Sequence, residues 1–180
     1  MQKTMGTVDL KLVHERKDPF YEIPFQSELD AGLSLLALED HEWVDYFNFE
    51  AIRLPVEIVT ESCSFLERLY EAHPFICGII RMQPYTFYDW HVDTNRGTCI
   101  NMKLGYSNSY CMFENGNRIN DLTGRFVTLD YKINTYYAFD NQVPHAIYNF
   151  DRERYLFTIE FEEDKTKLTF DNLVQEIKSW

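Results

Sequence analysis

The chain of 180 residues is poor in the residues that divide a protein into pieces, with 7 glycines and 6 prolines. It has no Gly/Ser/Pro-rich linker, no internal repeat and no low-complexity tract. A string of small modules is excluded, and the length fits one domain around one core. Cysteine is scarce too: Cys63, Cys77, Cys99 and Cys111 form no CxxC pair, which excludes a zinc knuckle or ribbon. No apolar run approaches the length of a membrane span. The opening MQKTMGTVDLKL lacks the continuous apolar stretch of a secretory signal, so a cytoplasmic protein with reduced thiols is expected. Positive charge is the last shortage. Against 29 acidic residues stand 17 basic ones, for a net charge of −12. Such a surface repels phosphate backbones and anionic lipid, so neither nucleic acid nor membrane is expected as a partner.

Aromatic and apolar residues are abundant. Hydrophobic residues make up 45% of the chain and aromatic ones 16%, enough for a packed interior. Residues 1–26 look extended, in VDLKL and again in FYEIPF. Residues 27–40 fit a short helix or an irregular connection. Over 56–71, Val59, Cys63, Leu66 and Tyr70 recur at helical spacing beside Ile58, Phe65 and Leu69, which predicts one helix stopped at His73-Pro74. From residue 75 the pattern becomes β-rich: FICGIIRM, TCINMKLGY, YCMFEN, GRFVTLDY, TYYAFDN, HAIYNF and RYLFTIEF follow in turn. ENGN at 114–117 and DLTG at 121–124 read as hairpin turns. Many short strands at this spacing predict a mainly β jelly-roll or barrel core with flanking helices. Residues 169–179 read as a C-terminal helix capped by Thr169 or Asp171. The single domain 1–180 thus divides into a flank over 1–74, a β core over 75–161 and a helix over 167–180.

Chemistry enters at YDWHVDTNRG, residues 88–97. His91 and Asp93 stand two apart, so on an extended segment both project to one face and can share a metal ion. His145, in DNQVPHAIYNF, follows Pro144 and opens a strand-like run. Two histidines and one carboxylate on one octahedral face leave three positions open, the arrangement of non-haem Fe(II) oxygenases. The plain alternative for His145 is a half-buried histidine at a strand start. Arg154 opens RYLFTIEF nine residues later. An arginine facing a β core needs an anion, and a bidentate carboxylate suits it. Otherwise it is a rim charge beside Glu153 or Asp151.

The order HVD (91–93), FDNQVPHAIYN (139–149) and Arg154 resembles the Fe(II)/2-oxoglutarate-dependent dioxygenases. WHVDTNRGTCINMKL (90–104) and FDNQVPHAIYNFDRERYLFTIEF (139–161) are similar to the aspartyl/asparaginyl β-hydroxylase-type branch. The resemblance covers about residues 75–161. It implies a double-stranded β-helix (jelly-roll, cupin-like) core. It implies Fe(II) bound by His91, Asp93 and His145, 2-oxoglutarate as cosubstrate held by Arg154, and O2 as oxidant. The activity implied is hydroxylation of an amino acid, a peptide or protein side chain or a small molecule, with release of succinate and CO2. The best-known hydroxylases of that branch lack the carboxylate ligand, whereas this chain has Asp93. That residue also argues against halogenation, which needs its position vacant.

Secondary candidates follow from geometry. Arg96 lies beyond the HVD turn, placed to reach the cosubstrate or a substrate carboxylate. Asn101 shares a strand face with Cys99 and Lys103, opposite Ile100, Met102 and Leu104, and Asn149 shares the face of His145. Either asparagine could line the cosubstrate site, or simply satisfy backbone. Tyr85, Thr86 and Tyr88 are expected near the pocket mouth, and Trp90 in packing beside His91. His14, His41 and His73 sit in ordinary surroundings and are not expected as ligands. EFEEDK (160–165) is expected to end a strand at the solvent. Two rival readings remain: a cupin-type zinc or manganese enzyme that does not use 2-oxoglutarate, and a non-catalytic jelly-roll binding module. An oligomer is compatible with the sequence.

Overall fold

Alternation fixes the strands. Ser109–Glu114 alternates buried and half-buried residues along its whole length, as a strand between core and surface does. The computed structural model describes residues 18–180 apart from 28, 38 and 115–125. The VDLKL segment, His14 and both hairpin turns beyond Glu114 lie outside the described residues.

In chain order the elements are β1 (Phe20–Gln26), α1 (Asp30–Ala37), β2 (Val44–Tyr46), β3 (Phe49–Leu54), α2 (Val56–Thr60), α3 (Ser64–Ala72) and β4 (Phe75–Met82). Then come β5 (Thr86–His91), β6 (Thr98–Leu104), β7 (Ser109–Glu114), β8 (Phe126–Leu129), β9 (Thr135–Asp140), β10 (His145–Asn149), β11 (Arg154–Phe161) and α4 (Phe170–Lys178). They form a seven-stranded sheet, β1-β9-β6-β11-β4-β3-β2, and a four-stranded sheet, β5-β10-β7-β8. Strands β1, β2 and β3, all from the first 74 residues, sit in the larger sheet with the core strands.

Two apolar layers hold this sandwich together. Between the sheets lie Cys99, Cys111, Phe113, Tyr131, Tyr137, Phe139 and Leu156. On the outer face of the larger sheet, Ile79, Ile100, Met102, Phe157 and Ile159 pack against Leu66 and Leu69 of α3 and Leu173, Val174 and Ile177 of α4. Each such aliphatic side chain contributes about 1.5–3 kcal/mol by leaving water. Strand parity decides which layer a residue joins. Cys99, Asn101 and Lys103 face inward while Ile100, Met102 and Leu104 face the helices, as the alternation of β6 requires. At the C-terminal helix Thr169 is the cap, its Oγ1 accepting the Asn172 N–H at 3.3 Å.

The single helix expected over 56–71 is two. Four of the five residues of α2 are β-branched (Val56, Ile58, Val59, Thr60), which weakens the helix. The Thr60 hydroxyl also donates back to the Val56 carbonyl. Cys63 is extended (φ −146°, ψ 108°), and the chain restarts there as α3. The break buries Val59 and Cys63 together with Phe65, Leu66 and Leu69, which a continuous helix would spread around its circumference. His73 ends α3 as expected, in extended conformation.

His73 also ties three elements. Its Nδ1 donates to Glu163 at 2.5 Å and its Nε2 to Glu176 at 2.9 Å. Two carboxylates can only accept, so the ring is held as the cation. They raise its pKa although burial, the largest single influence, pulls the other way. A raised folded pKa means that this stabilisation is complete below the unfolded value of about 6.5 and is lost as pH rises through the folded value. Relative to His73→Gln, the wild type should lose about 1 kcal/mol or less of its advantage between about pH 6 and pH 9. Thermal melts of both proteins across that range would check this, and a constant difference would disprove it.

Candidate metal centre and cleft

Strand β5 ends on His91 and β10 begins on His145, and the register of the two strands sets these residues directly opposite one another. Their rings lie 4.2 Å apart. Asp93 follows in the turn between β5 and β6. One donor atom from each of His91, Asp93 and His145 falls within 4.8 Å of the other two.

The tautomers are set by backbone. His91 Nδ1 donates to the Asp89 carbonyl at 2.7 Å and His145 Nδ1 to the Val143 carbonyl at 2.9 Å. A carbonyl only accepts, so each Nδ1 carries the proton and each Nε2 presents a lone pair to the centre. Burial lowers the pKa of His145, which keeps it neutral and able to ligate. Asp93 is divided in the same way. Its Oδ2 takes Arg96 Nη2 at 2.6 Å and Asn141 Nδ2 at 2.8 Å. Its Oδ1 is turned to the imidazoles, 3.5 Å from His91 Nε2 and 4.0 Å from His145 Nε2. Two imidazole Nε2 atoms and one carboxylate oxygen on one side fit a divalent transition metal with open positions on the other.

Arg96 is turned onto Asp93 at the edge of the cleft. It neutralises and orients Asp93. Asn141 and Gln142, which sequence reading passed over, complete the brace. Gln142 Nε2 donates to the carbonyls of Asp93 at 2.9 Å and Arg96 at 2.7 Å. The Asp93 N–H donates to the Asn141 carbonyl at 3.1 Å. The polar pair just before Val143-Pro144-His145 was the only available signal, since these contacts join segments 48 residues apart. Outer partners of this kind typically set metal affinity within 10- to 100-fold. Asn141→Ala is expected to weaken Co(II) binding by about tenfold while leaving the fold intact. Optical titration would measure it, and unchanged affinity would remove Asn141 from the brace.

Farther along the interior, Arg154 is 2% exposed. Glu153 instead accepts from the Tyr155 hydroxyl, and Asp151 from the Asn108 N–H. Among the described residues no carboxylate pairs with Arg154, whose guanidinium lies 5.6 Å from the Tyr131 ring centroid. Burial lowers its pKa. Beside it, Asn101 Nδ2 donates to the Tyr131 hydroxyl at 3.4 Å. Thr158 stands opposite Asn101 on β11, with a buried hydroxyl that has no partner. Asn149 is inward and buried; its Nδ2 donates to the carbonyls of Met82, Gln83 and Arg152, while its buried Oδ1 has no partner. It braces backbone.

A cleft of about 590 Å³ opens beside the triad, lined by His91, Asp93, Arg96, Thr158 and Glu160 and walled by aromatics of the β2–β3 hairpin. Tyr88 lines it, whereas Tyr85 is 85% exposed. Trp90 packs on Phe126 rather than on His91. His41 Nε2 donates to the Leu36 carbonyl at 2.6 Å, away from the triad.

No family model and no curated protein matches the chain. Solved structures do. A Pseudomonas putida prolyl-4-hydroxylase matches at TM-score 0.56 and 17% identity, over 79% of this chain and 91% of that one. A Burkholderia pseudomallei oxidoreductase of the 2OG-Fe(II) oxygenase family matches at 0.58 and 12%, over 82% and 84%. A Trichoplax adhaerens prolyl hydroxylase, in complex with a hypoxia inducible factor peptide fragment, matches at 0.60 and 12%, over 83% and 85%. The chain has the double-stranded β-helix fold of these structures. Within that β-helix, the smaller sheet and its connection carry the triad, while the larger sheet carries Arg154.

Proposed function

We propose that the protein is an Fe(II)- and 2-oxoglutarate-dependent oxygenase. Its action is to hydroxylate an amino acid, a peptide or protein side chain, or a small molecule, releasing succinate and CO2. The observation that carries this reading is Arg154, a buried guanidinium with no carboxylate of its own, in the β-helix whose triad fits a divalent metal. A zinc or manganese hydrolase on the same barrel has no use for such an arginine. Burying an unpaired charge is costly, so the site is built for an anion that arrives.

The division of labour follows from the side chains. His91 and His145, through Nε2, and Asp93, through Oδ1, would hold the iron. Fe(II), when bound, supplies the activation of O2, one atom of which enters the new C–OH while the other enters succinate. Arg154 meets the distal carboxylate of 2-oxoglutarate with a two-pronged charge-assisted contact. The Tyr131 hydroxyl, on the ring that faces Arg154, stands as a further donor for that carboxylate, and Asn101 orients Tyr131. Arg96 and Asn141 keep Asp93 turned toward the iron. The apolar interior around Cys111, Phe113 and Leu156 excludes water from the cosubstrate.

The resemblance of residues 90–104 and 139–161 supports a place near the aspartyl/asparaginyl β-hydroxylase-type branch, with Asp93 as the departure from it. Four buried free cysteines support a reducing compartment such as the cytoplasm. The test is anaerobic titration with Fe(II) and then 2-oxoglutarate, followed by visible absorption. A weak metal-to-ligand charge-transfer band that needs both components is expected. Metal binding without such a band would sink the 2-oxoglutarate reading.

A further inference from the structure

We propose that the substrate carries a cationic group, an ammonium or a guanidinium, at the end of an apolar stem, as the side chains of lysine and arginine do. This deepens the oxygenase reading and rests on it. Two hollows meet at the metal turn. The first is the aromatic cleft beside the triad. The second, about 580 Å³, is lined by Glu160, Glu162, Glu163, Asp164 and Lys165. The two share Ile76, Thr94, Asn95 and Glu160, so a molecule lying past the triad passes from one into the other.

The aromatic wall suits the stem. Tyr46 stacks on Phe49 at 5.8 Å, Phe49 meets Tyr88 edge-on at 5.7 Å, and Tyr88 lies 4.2 Å from the ring of His91. Phe47, 90% exposed at the hairpin tip, stacks on Tyr88 at 6.3 Å. Such faces pack methylenes and attract a cation.

Two carboxylates at the junction of the hollows stand without donors among the described residues. Glu163 is taken by His73, and Asp164 by Thr166. Lys165 reaches Gln142 Oε1 at 3.4 Å. That leaves Glu160 and Glu162, whose carboxylates make no hydrogen bond or ion pair among the described residues. Glu160 is half-buried on the inner face of β11, opposite Cys99 and Ile76. It feels Arg96, but that guanidinium is bound to Asp93. A half-buried carboxylate without a donor is stabilised by an incoming cation, and the net charge of −12 draws cations to the mouth. Across β4 stands Arg53, which lines the cleft and is in no ion pair among the described residues. It is placed for the carboxylate of a free amino acid, a partner that a residue within a peptide does not offer.

The experiment uses full-length protein with Mn(II) and 2-oxoglutarate in calorimetry, and with Fe(II), 2-oxoglutarate and O2 in a succinate assay. The probes are lysine, arginine and short peptides containing them, against the neutral isosteres norleucine and citrulline and against glutamate. Binding of the cationic probes, tenfold or more tighter than their neutral isosteres and weakened by salt, is expected. Glu160→Gln combined with Glu162→Gln should erase about a tenfold preference. Arg53→Ala should weaken free amino acids and spare peptides if the free compounds are the substrates, and leave both alike if peptides are. Equal or tighter binding of norleucine, citrulline or glutamate overturns the proposal. Succinate formed without any probe, together with no preference for cations, overturns the cationic class and leaves the oxygenase reading standing. Binding of cations with no succinate under any condition overturns the oxygenase reading instead.

Discussion

Arg154→Leu is expected to melt higher than the wild type when 2-oxoglutarate is absent, and to have lost its affinity for 2-oxoglutarate. The two effects share one cause. Arg154 is buried among Tyr131, Cys111 and Leu156, and no carboxylate repays the removal of its charge from water. Replacing a buried charge by a packed apolar side chain is often neutral to stabilising by about 1–4 kcal/mol. The same replacement removes the forked donor that the cosubstrate carboxylate needs, and such charge pairs are worth about 2–5 kcal/mol when one partner is truncated. Affinity should therefore fall by about thirtyfold or more. In the wild type, 2-oxoglutarate with metal should raise the melting temperature, by about 2.7 kcal/mol of stabilisation at a hundred times its dissociation constant. The variant should show none of this rise. Arg154→Lys keeps the charge without the fork and should fall between the two. Melting curves with and without ligand decide the matter, and an Arg154→Leu protein that is less stable in the absence of ligand would show that the arginine is structural.

Asp93→Ala should remove metal binding, well beyond the 10- to 100-fold effect of an outer partner such as Asn141. It also strands a cation. Arg96 Nη2 now rests on Asp93 at 2.6 Å, and its removal leaves the guanidinium beside two imidazoles. The metal-free variant should accordingly lose about 1–3 kcal/mol of stability. His145→Ala should lose the metal without that second penalty, because its Nδ1 is bound only to the Val143 carbonyl. Equilibrium dialysis with Fe(II) or Co(II), beside denaturant melts of the metal-free proteins, separates the two variants. Equal metal affinity in all three proteins would remove the triad from consideration.

These contrasts show what a sequence carries and what it withholds. Nearly continuous apolar runs such as FICGIIRM and RYLFTIEF are the strands β4 and β11, because both of their faces are largely buried and the signal is local. Strand β2 went unread because all three of its residues are exposed, and β5 because aromatic and polar residues mix on both of its faces and none of them is fully buried. His91 and His145 were legible as a possible pair from spacing and flanking residues, and the β5–β10 register sets them opposite each other. The brace of Asn141 and Gln142, the orphan hydroxyl of Thr158 and the turn of Arg96 onto Asp93 were not legible. They depend on loops from distant parts of the chain arriving at one place, and no periodicity encodes that.

The triad belongs to the four-stranded sheet and its outgoing turn, while Arg154 belongs to the seven-stranded sheet. A cosubstrate gripped at both ends spans the gap between them as a strut. Without it, β5 and β10 are held against the larger sheet by side-chain packing and a few side-chain hydrogen bonds, such as Asn149 to the Met82 carbonyl and Asn48 to the Phe87 carbonyl, and their fluctuations away from it set how fast the interior admits solvent. Amide hydrogen exchange in β5 and β10 should therefore slow on addition of metal and 2-oxoglutarate together, and much less with metal alone. The ligand then acts as part of the mechanical frame of the sandwich, and the order of arrival of the small molecules becomes an order of stiffening.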